Sequence, residues 1–77
     1  MTDFPVIDLE ATGRRIKDLR KEKNYTVEQI SEYMGFGSVQ AVYKWQSGKS
    51  LPTLDNMFAL SRLFDTPIDG MLIEKED

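Results

Sequence analysis

Apolar residues recur along this chain in short helical stripes separated by clusters of glycine, serine and proline, and the clearest alternation lies between Thr26 and Lys49. Val27, Ile30 and Met34 stand three and four residues apart, which puts them on one face of a helix. Thr26 precedes them as an N-cap, and Gln29 follows three residues later, where a capping box places its second partner. The pattern breaks at Gly35, Phe36 and Gly37. Ser38 is a second N-cap candidate, and from there Ala41, Val42 and Trp45 form a new inward stripe. Two short amphipathic helices on either side of a glycine-bearing turn give the outline of a helix-turn-helix.

The same reading extends outward to five helices. A first helix is expected from about Leu9 to Lys23, with Asp8 as N-cap, Ile16 and Leu19 on the core face and Asn24 in the C-terminal turn. Ser47, Gly48, Lys49, Ser50, Leu51 and Pro52 read as loop, after which Thr53 caps a fourth helix with Asp55 in its first turn. Leu54, Met57, Phe58, Ser61, Leu63 and Phe64 supply a broad inward face. Thr66 as cap and Pro67 at the first helical position, with Asp69 after them, predict a short fifth helix bearing Ile68, Met71 and Leu72. The expected organisation is an arm over residues 1–8, one domain over 9–73 and a frayed, disordered tail over 74–77.

The solvent side of the third helix carries the candidate chemistry. At about 100° per residue, Ala41, Val42 and Trp45 share about one third of the circumference, leaving Val39, Gln40, Tyr43, Lys44 and Ser47 outward. Glutamine can pair with adenine through two hydrogen bonds, lysine can reach guanine acceptors or a phosphate, valine can cover a thymine methyl, and tyrosine can stack or bind a phosphate. An ordinary solvated face is an equal reading for this helix in isolation, so context has to separate the two. Trp45 belongs to the core, because its angle matches Ala41 and Val42 and its indole is large enough to anchor a small domain.

Composition narrows the options. A chain of 77 residues makes one small domain, and with neither cysteine nor histidine it has no thiolate zinc site, disulfide, cysteine nucleophile or histidine-based acid, base or metal site. An enzyme is therefore not expected, nor is a cofactor. The first ten residues do not read as a signal peptide, and no apolar run approaches membrane-spanning length, so no membrane association and a cytoplasmic location are expected. The formal charge of −3 at first argues against a polyanionic partner. Its distribution reverses that. Residues 13–53 hold eight cations (Arg14, Arg15, Lys17, Arg20, Lys21, Lys23, Lys44, Lys49) against four carboxylates, while both ends are acidic. A basic middle between acidic poles can orient a small domain on a polyanion, with salt-sensitive binding.

From about Thr12 to Leu72 the chain resembles the Cro/C1-type helix-turn-helix family of bacterial and phage repressors. The resemblance rests on GRRIKDLRKEKNYT, the turn at Gly35, the phrase AVYKWQSGKSLPTLDNMFALSRLF and the closing IDGML. It implies a compact all-α, five-helix domain of the lambda-repressor-like type, whose third helix enters the major groove of double-stranded DNA while the second lies across the backbone. Carried over by position, Ser38, Val39, Gln40, Tyr43 and Lys44 would read bases. Thr26, Lys49 and Ser50 would meet phosphates.

Three departures shape the expectation. A glutamine that touches phosphate in many members is replaced by Val27, so one backbone clamp is absent. The turn 35–37 is one residue longer than the commonest form, which shifts the third helix along its axis. Arg20, whose usual partner is a glutamate, faces Gln46, which offers a carbonyl acceptor instead. The function this implies is a sequence-specific transcriptional regulator, a repressor by family habit, acting by occupying an operator. The alternative is a protein-interaction module, an antitoxin or anti-regulator, that uses the same fold on a protein. Homodimerisation is expected through Ile68, Met71 and Leu72 or through the N-terminal arm with Phe4, Val6 and Ile7, since two half-sites multiply affinity.

Overall fold

The computed structural model describes residues 4–76; the expectations for residues 1–3 of the arm and for Asp77 lie outside the described residues. Four α-helices follow one another: α1 (Leu9–Glu22), α2 (Val27–Met34), α3 (Gln40–Ser47) and α4 (Leu54–Phe64), with a single 3-10 turn at Ile68–Gly70. Local chemistry sets most of their ends. Asp8 accepts from the Ala11 amide at 2.9 Å to start α1. Thr26 and Gln29 complete the capping box of α2, the Gln29 amide donating to Thr26 Oγ1 at 3.0 Å and the Thr26 amide donating to Gln29 Oε1 at 2.8 Å. Thr53 Oγ1 accepts from the Asn56 amide to start α4.

The helix ends use left-handed residues. Asn24 stands at φ 65° after α1, Gly35 at 77° after α2 and Asp65 at 53° after α4. These positions let the Tyr25, Phe36 and Thr66 amides turn back onto the Arg20, Ser31 and Ser61 carbonyls, which would otherwise be orphaned. α3 is the exception at its start. Its N-cap position is Val39, in helical conformation, with no side-chain cap bond. The expected cap, Ser38, reaches only to 3.4 Å from the Gln40 amide, so the helix begins two residues beyond the serine.

The expected fifth helix does not form, and the domain has four helices rather than five. The Thr66 hydroxyl donates back to the Phe64 carbonyl at 3.1 Å instead of capping forward. Beyond Gly70 the chain is taken up by other elements. Arg15 Nε donates to the Gly70 carbonyl (3.1 Å), and the Ile73 amide donates to Thr12 Oγ1 (3.0 Å). The Asp8 amide donates to Ile73 O (2.8 Å) and the Lys75 amide to Val6 O (2.7 Å), on either side of an antiparallel bridge between Ile7 and Glu74. Side chains of α1 thus satisfy the Gly70 carbonyl and the Ile73 amide, backbone groups that a longer fifth helix would have paired within itself. Glu74 and Lys75, expected in a frayed tail, belong to this clasp.

The core is Ile16 and Leu19 of α1, Val27 and Ile30 of α2, Val42 and Trp45 of α3, Met57, Leu60 and Phe64 of α4, and Met71. Each side chain of this size stabilises the fold by about 1.5–3 kcal/mol when fully buried. The broad inward face expected of α4 is narrower than its apolar residues suggest: Leu60 is fully buried, whereas Leu54 and Phe58 are exposed. Phe36, in the long turn, sets its ring edge-on to Trp45 with centroids 5.7 Å apart, so the extra turn residue closes the α2–α3 corner.

Candidate nucleic-acid interface

The position of α3 is fixed from α1. A Cβ on Gly13 would stand 2.3 Å from the Trp45 carbonyl oxygen and 2.7 Å from that of Gln46, so the two helix backbones touch where only glycine fits. Two turns along α1, Arg20 Nε donates to Gln46 Oε1 at 2.8 Å and another guanidinium nitrogen of Arg20 donates to the Tyr25 carbonyl at 2.8 Å. The contact between Arg20 and Gln46 that the family resemblance implies is therefore present. It ties the end of α3 to the loop that launches α2.

Held from behind in this way, α3 presents Gln40, Tyr43 and Lys44 to solvent, with Tyr43 51% exposed. Ser38 is exposed beside them. Val39 differs from expectation: it is half-buried and packs against the core, because the helical turn at residue 39 rotates its side chain inward. Ser47, also outward, donates its hydroxyl to the Lys44 carbonyl at 3.1 Å.

The two flanking segments differ in what they offer an anion. Thr26 and Gln29 are exposed at the start of α2. Their capping box occupies the Gln29 carbonyl oxygen and leaves its NH2 group to donate elsewhere, on the same first turn as the Val27 and Glu28 amides that have no intrahelical acceptor. Gln29 was seen in the sequence only as a cap, although the capping-box spacing itself implies a spare amide donor. In the loop after α3, the Lys49 and Ser50 amides donate to the Lys44 carbonyl at 3.0 and 3.4 Å, so this loop offers side chains rather than backbone. Lys49 is exposed and Ser50 half-buried. Gly48, at φ 80°, turns the loop against α1, where a Cβ would meet the Glu10 backbone at 2.8 Å.

Two of the eight central cations, Arg15 and Arg20, are engaged with backbone or side-chain carbonyls. Arg14, Lys17 and Lys21 are exposed along α1 at helical spacing, so the basic character of the middle segment lies on the surface. Among the described residues no cluster of acidic side chains is arranged to hold a metal ion, and no helix is long and apolar enough to cross a membrane.

Residues 16–71 match the sequence model of a helix-turn-helix family. The chain is 36% identical over 64 residues to the HTH-type transcriptional activator BcrR of Enterococcus faecalis, a match covering 83% of this chain and 31% of that protein. It is 37% identical over 60 residues to the HTH-type transcriptional regulator YobD of Bacillus subtilis (strain 168), covering 77% of this chain and 52% of that one. The match thus spans only about a third to a half of these curated relatives. In three dimensions the fold is similar to the restriction-modification controller protein C.AhdI of Aeromonas hydrophila, with a TM-score of 0.73 at 23% identity over 83% of this chain and 96% of that one. It is also similar to the DNA-binding domain of BldD, with a TM-score of 0.71 at 13% identity over 86% and 94% of the two chains.

Proposed function

The chain belongs to the Cro/C1-type helix-turn-helix family, and from that premise we propose that it is a DNA-binding transcriptional regulator that recognises a specific operator with α3. The observation that carries this reading is the division of α3 into two sides. Val42 and Trp45 are buried and the helix is braced by Gly13 and Arg20, while Gln40, Tyr43 and Lys44 are left to solvent. A rigid helix showing amide, phenol and ammonium groups from successive turns suits base edges in a major groove.

In this reading Ser38, Gln40, Tyr43 and Lys44 face the groove, and Val39 contributes at its edge. Thr26, Lys49 and Ser50 hold the backbone. The Gln29 amide beside Thr26 supplies the donor that Val27 lacks. Binding is the whole of the activity, with no chemistry and no cofactor, and the protein works in the cytoplasm as a homodimer on paired half-sites. Operator occupancy blocks or recruits polymerase according to where the operator lies. The relative from Enterococcus faecalis is an activator, so repression by this chain is tested by operator position.

Selection of bound sequences from a random DNA pool, at two salt concentrations, tests the reading. The wild type should enrich a compact motif that a Gln40→Ala, Lys44→Ala variant loses. Lys49→Ala should weaken binding evenly across sequences and lower the salt slope by about one. Retention without enrichment would reduce the function to backbone binding. No retention would favour a protein-interaction module.

A further inference from the structure

α1 does more than brace α3 from behind, because part of its surface is turned to the same side as the outward face of α3. The seam between the two helices is marked by Gly13, where a Cβ would strike the Trp45 and Gln46 carbonyl oxygens, and by Arg20, which bonds Gln46. On α3, at about 100° per residue, the buried Val42 and Trp45 lie to one side of Gln46, and Tyr43 and Ser47 lie to the other. On α1 the buried Thr12, Ile16 and Leu19 lie to one side of Gly13 and Arg20, and Lys17 and Lys21 lie to the other. Two touching helices that share a core on one side of their seam share a surface on the opposite side. Lys17 and Lys21, both exposed, therefore flank the Tyr43 side of α3.

This cationic row has defined ends. Lys17 and Lys21 are one turn apart, about 6 Å along the helix, and beyond them the chain passes through Tyr25 to the α2 cap at Thr26. At the opposite end Glu10 packs against Gly48, and its carboxylate closes the row to anions. Between the row and α3 stands Arg20. Its Nε and Nη1 donate to Gln46 Oε1 and to the Tyr25 carbonyl. Both acceptors are neutral, so the guanidinium keeps its whole charge, and Nη2 retains donors for a third partner. We propose that α1 is a further element that holds the DNA backbone, with Lys17 and Lys21 on phosphates of the strand beside α3 and Arg20 turning its uncompensated charge to the same strand. The proposal rests on the reading of α3 as the groove helix and adds what sets its angle of entry. Phosphate contacts fix register and orientation while base contacts carry sequence, and here the contacts come from a helix joined rigidly to α3.

Anisotropy titrations of the selected operator duplex and of a scrambled duplex, over a series of salt concentrations, test it. Lys17→Ala, Lys21→Ala should weaken both duplexes by the same factor, about tenfold or more at low salt, and lower the slope of log affinity against log salt by about two. The selected motif and the melting temperature should not change. Gln46→Glu keeps the hydrogen bond to Arg20 but neutralises the guanidinium, and should lower the slope by about one with no loss of stability, an effect that a purely structural brace would not produce. Lys75→Ala, which removes a charge from the acidic C-terminal segment, is the control and should leave the slope as it is. A slope indifferent to Lys17→Ala, Lys21→Ala, or a loss confined to the operator duplex, overturns the proposal, and a slope indifferent to Gln46→Glu returns Arg20 to the brace alone. A wild type that enriches no motif sinks the operator reading only, because the variants are still compared on the scrambled duplex.

Discussion

α3 and the segment from Thr66 to Leu72 make an instructive pair. Sequence signals mark the second as the better helix, with a threonine cap candidate, a proline at the first position and an aspartate in the first turn, although neither segment makes a side-chain cap bond. The outcome is the reverse. α3 runs eight residues and the other segment closes as a three-residue 3-10 turn. A short helix is marginal on its own, and what holds it is a neighbour. α1 supplies that neighbour to α3 along its length, through the glycine contact at residue 13 and the Arg20–Gln46 hydrogen bond. To the C-terminal segment, α1 and the arm offer hydrogen-bond partners suited to extended chain: Thr12 Oγ1 for the Ile73 amide and the Asp8 amide for the Ile73 carbonyl. Capping decides where a helix starts once packing has decided that there is one.

The contrast can be broken first on the side of α3. Gly13→Ala places a methyl carbon against two backbone oxygens that cannot move without α3, and should cost about 3 kcal/mol. Thermal unfolding should fall by more than about 10 °C, and specific DNA binding should be lost with it. On the other side, Thr12→Val removes the acceptor for the Ile73 amide within a buried site. It should cost about 1–3 kcal/mol, and hydrogen exchange at Ile73 should accelerate while exchange within α3 stays slow. Gln46→Glu sharpens the brace, turning a neutral acceptor for Arg20 into a charged one in a half-buried setting. A gain of about 1 kcal/mol is expected, and an unchanged melting temperature would count against the contact. The smallest effect should come from Gly70→Ala. An alanine favours helix by up to about 1 kcal/mol, but the segment is held by partners outside itself. Helical content by circular dichroism should not rise, and stability should shift by less than about 0.5 kcal/mol.

The same contrast explains what could be read from the sequence. The starts of α1, α2 and α4 are legible because Asp8, Thr26 with Gln29, and Thr53 act on amides three residues away. The outward direction of Gln40, Tyr43 and Lys44 was legible because α3 has one strong inward stripe to set its phase. α4 has apolar residues nearly all round, so periodicity could not choose among them; it drew Leu54 and Phe58 inward and passed over Leu60. Val39 was misoriented because its direction depends on where α3 begins, and Ser38 does not set that point. Gly13, and the bond between Thr12 and Ile73, join segments far apart in the chain and leave no trace in any short window. Arg20 facing Gln46 is just as distant, and it became visible only through the resemblance to a family in which those positions meet.

The clasp between the arm and residues 73–75 brings the two ends of the described chain side by side, running in opposite directions. In mechanical terms this is a zipper and not a shear joint. Tension applied across the two ends would load the Lys75–Val6 bond first, then Asp8–Ile73, one at a time, and would reach the Thr12–Ile73 bond in the first turn of α1 before the other helices felt it. The proximity also means that a short peptide could join the ends into a ring. The domain could then be reopened at the exposed Gly37, beyond the packed Phe36, giving a permuted chain in which the arm and the C-terminal segment become neighbours in sequence as they already are in space.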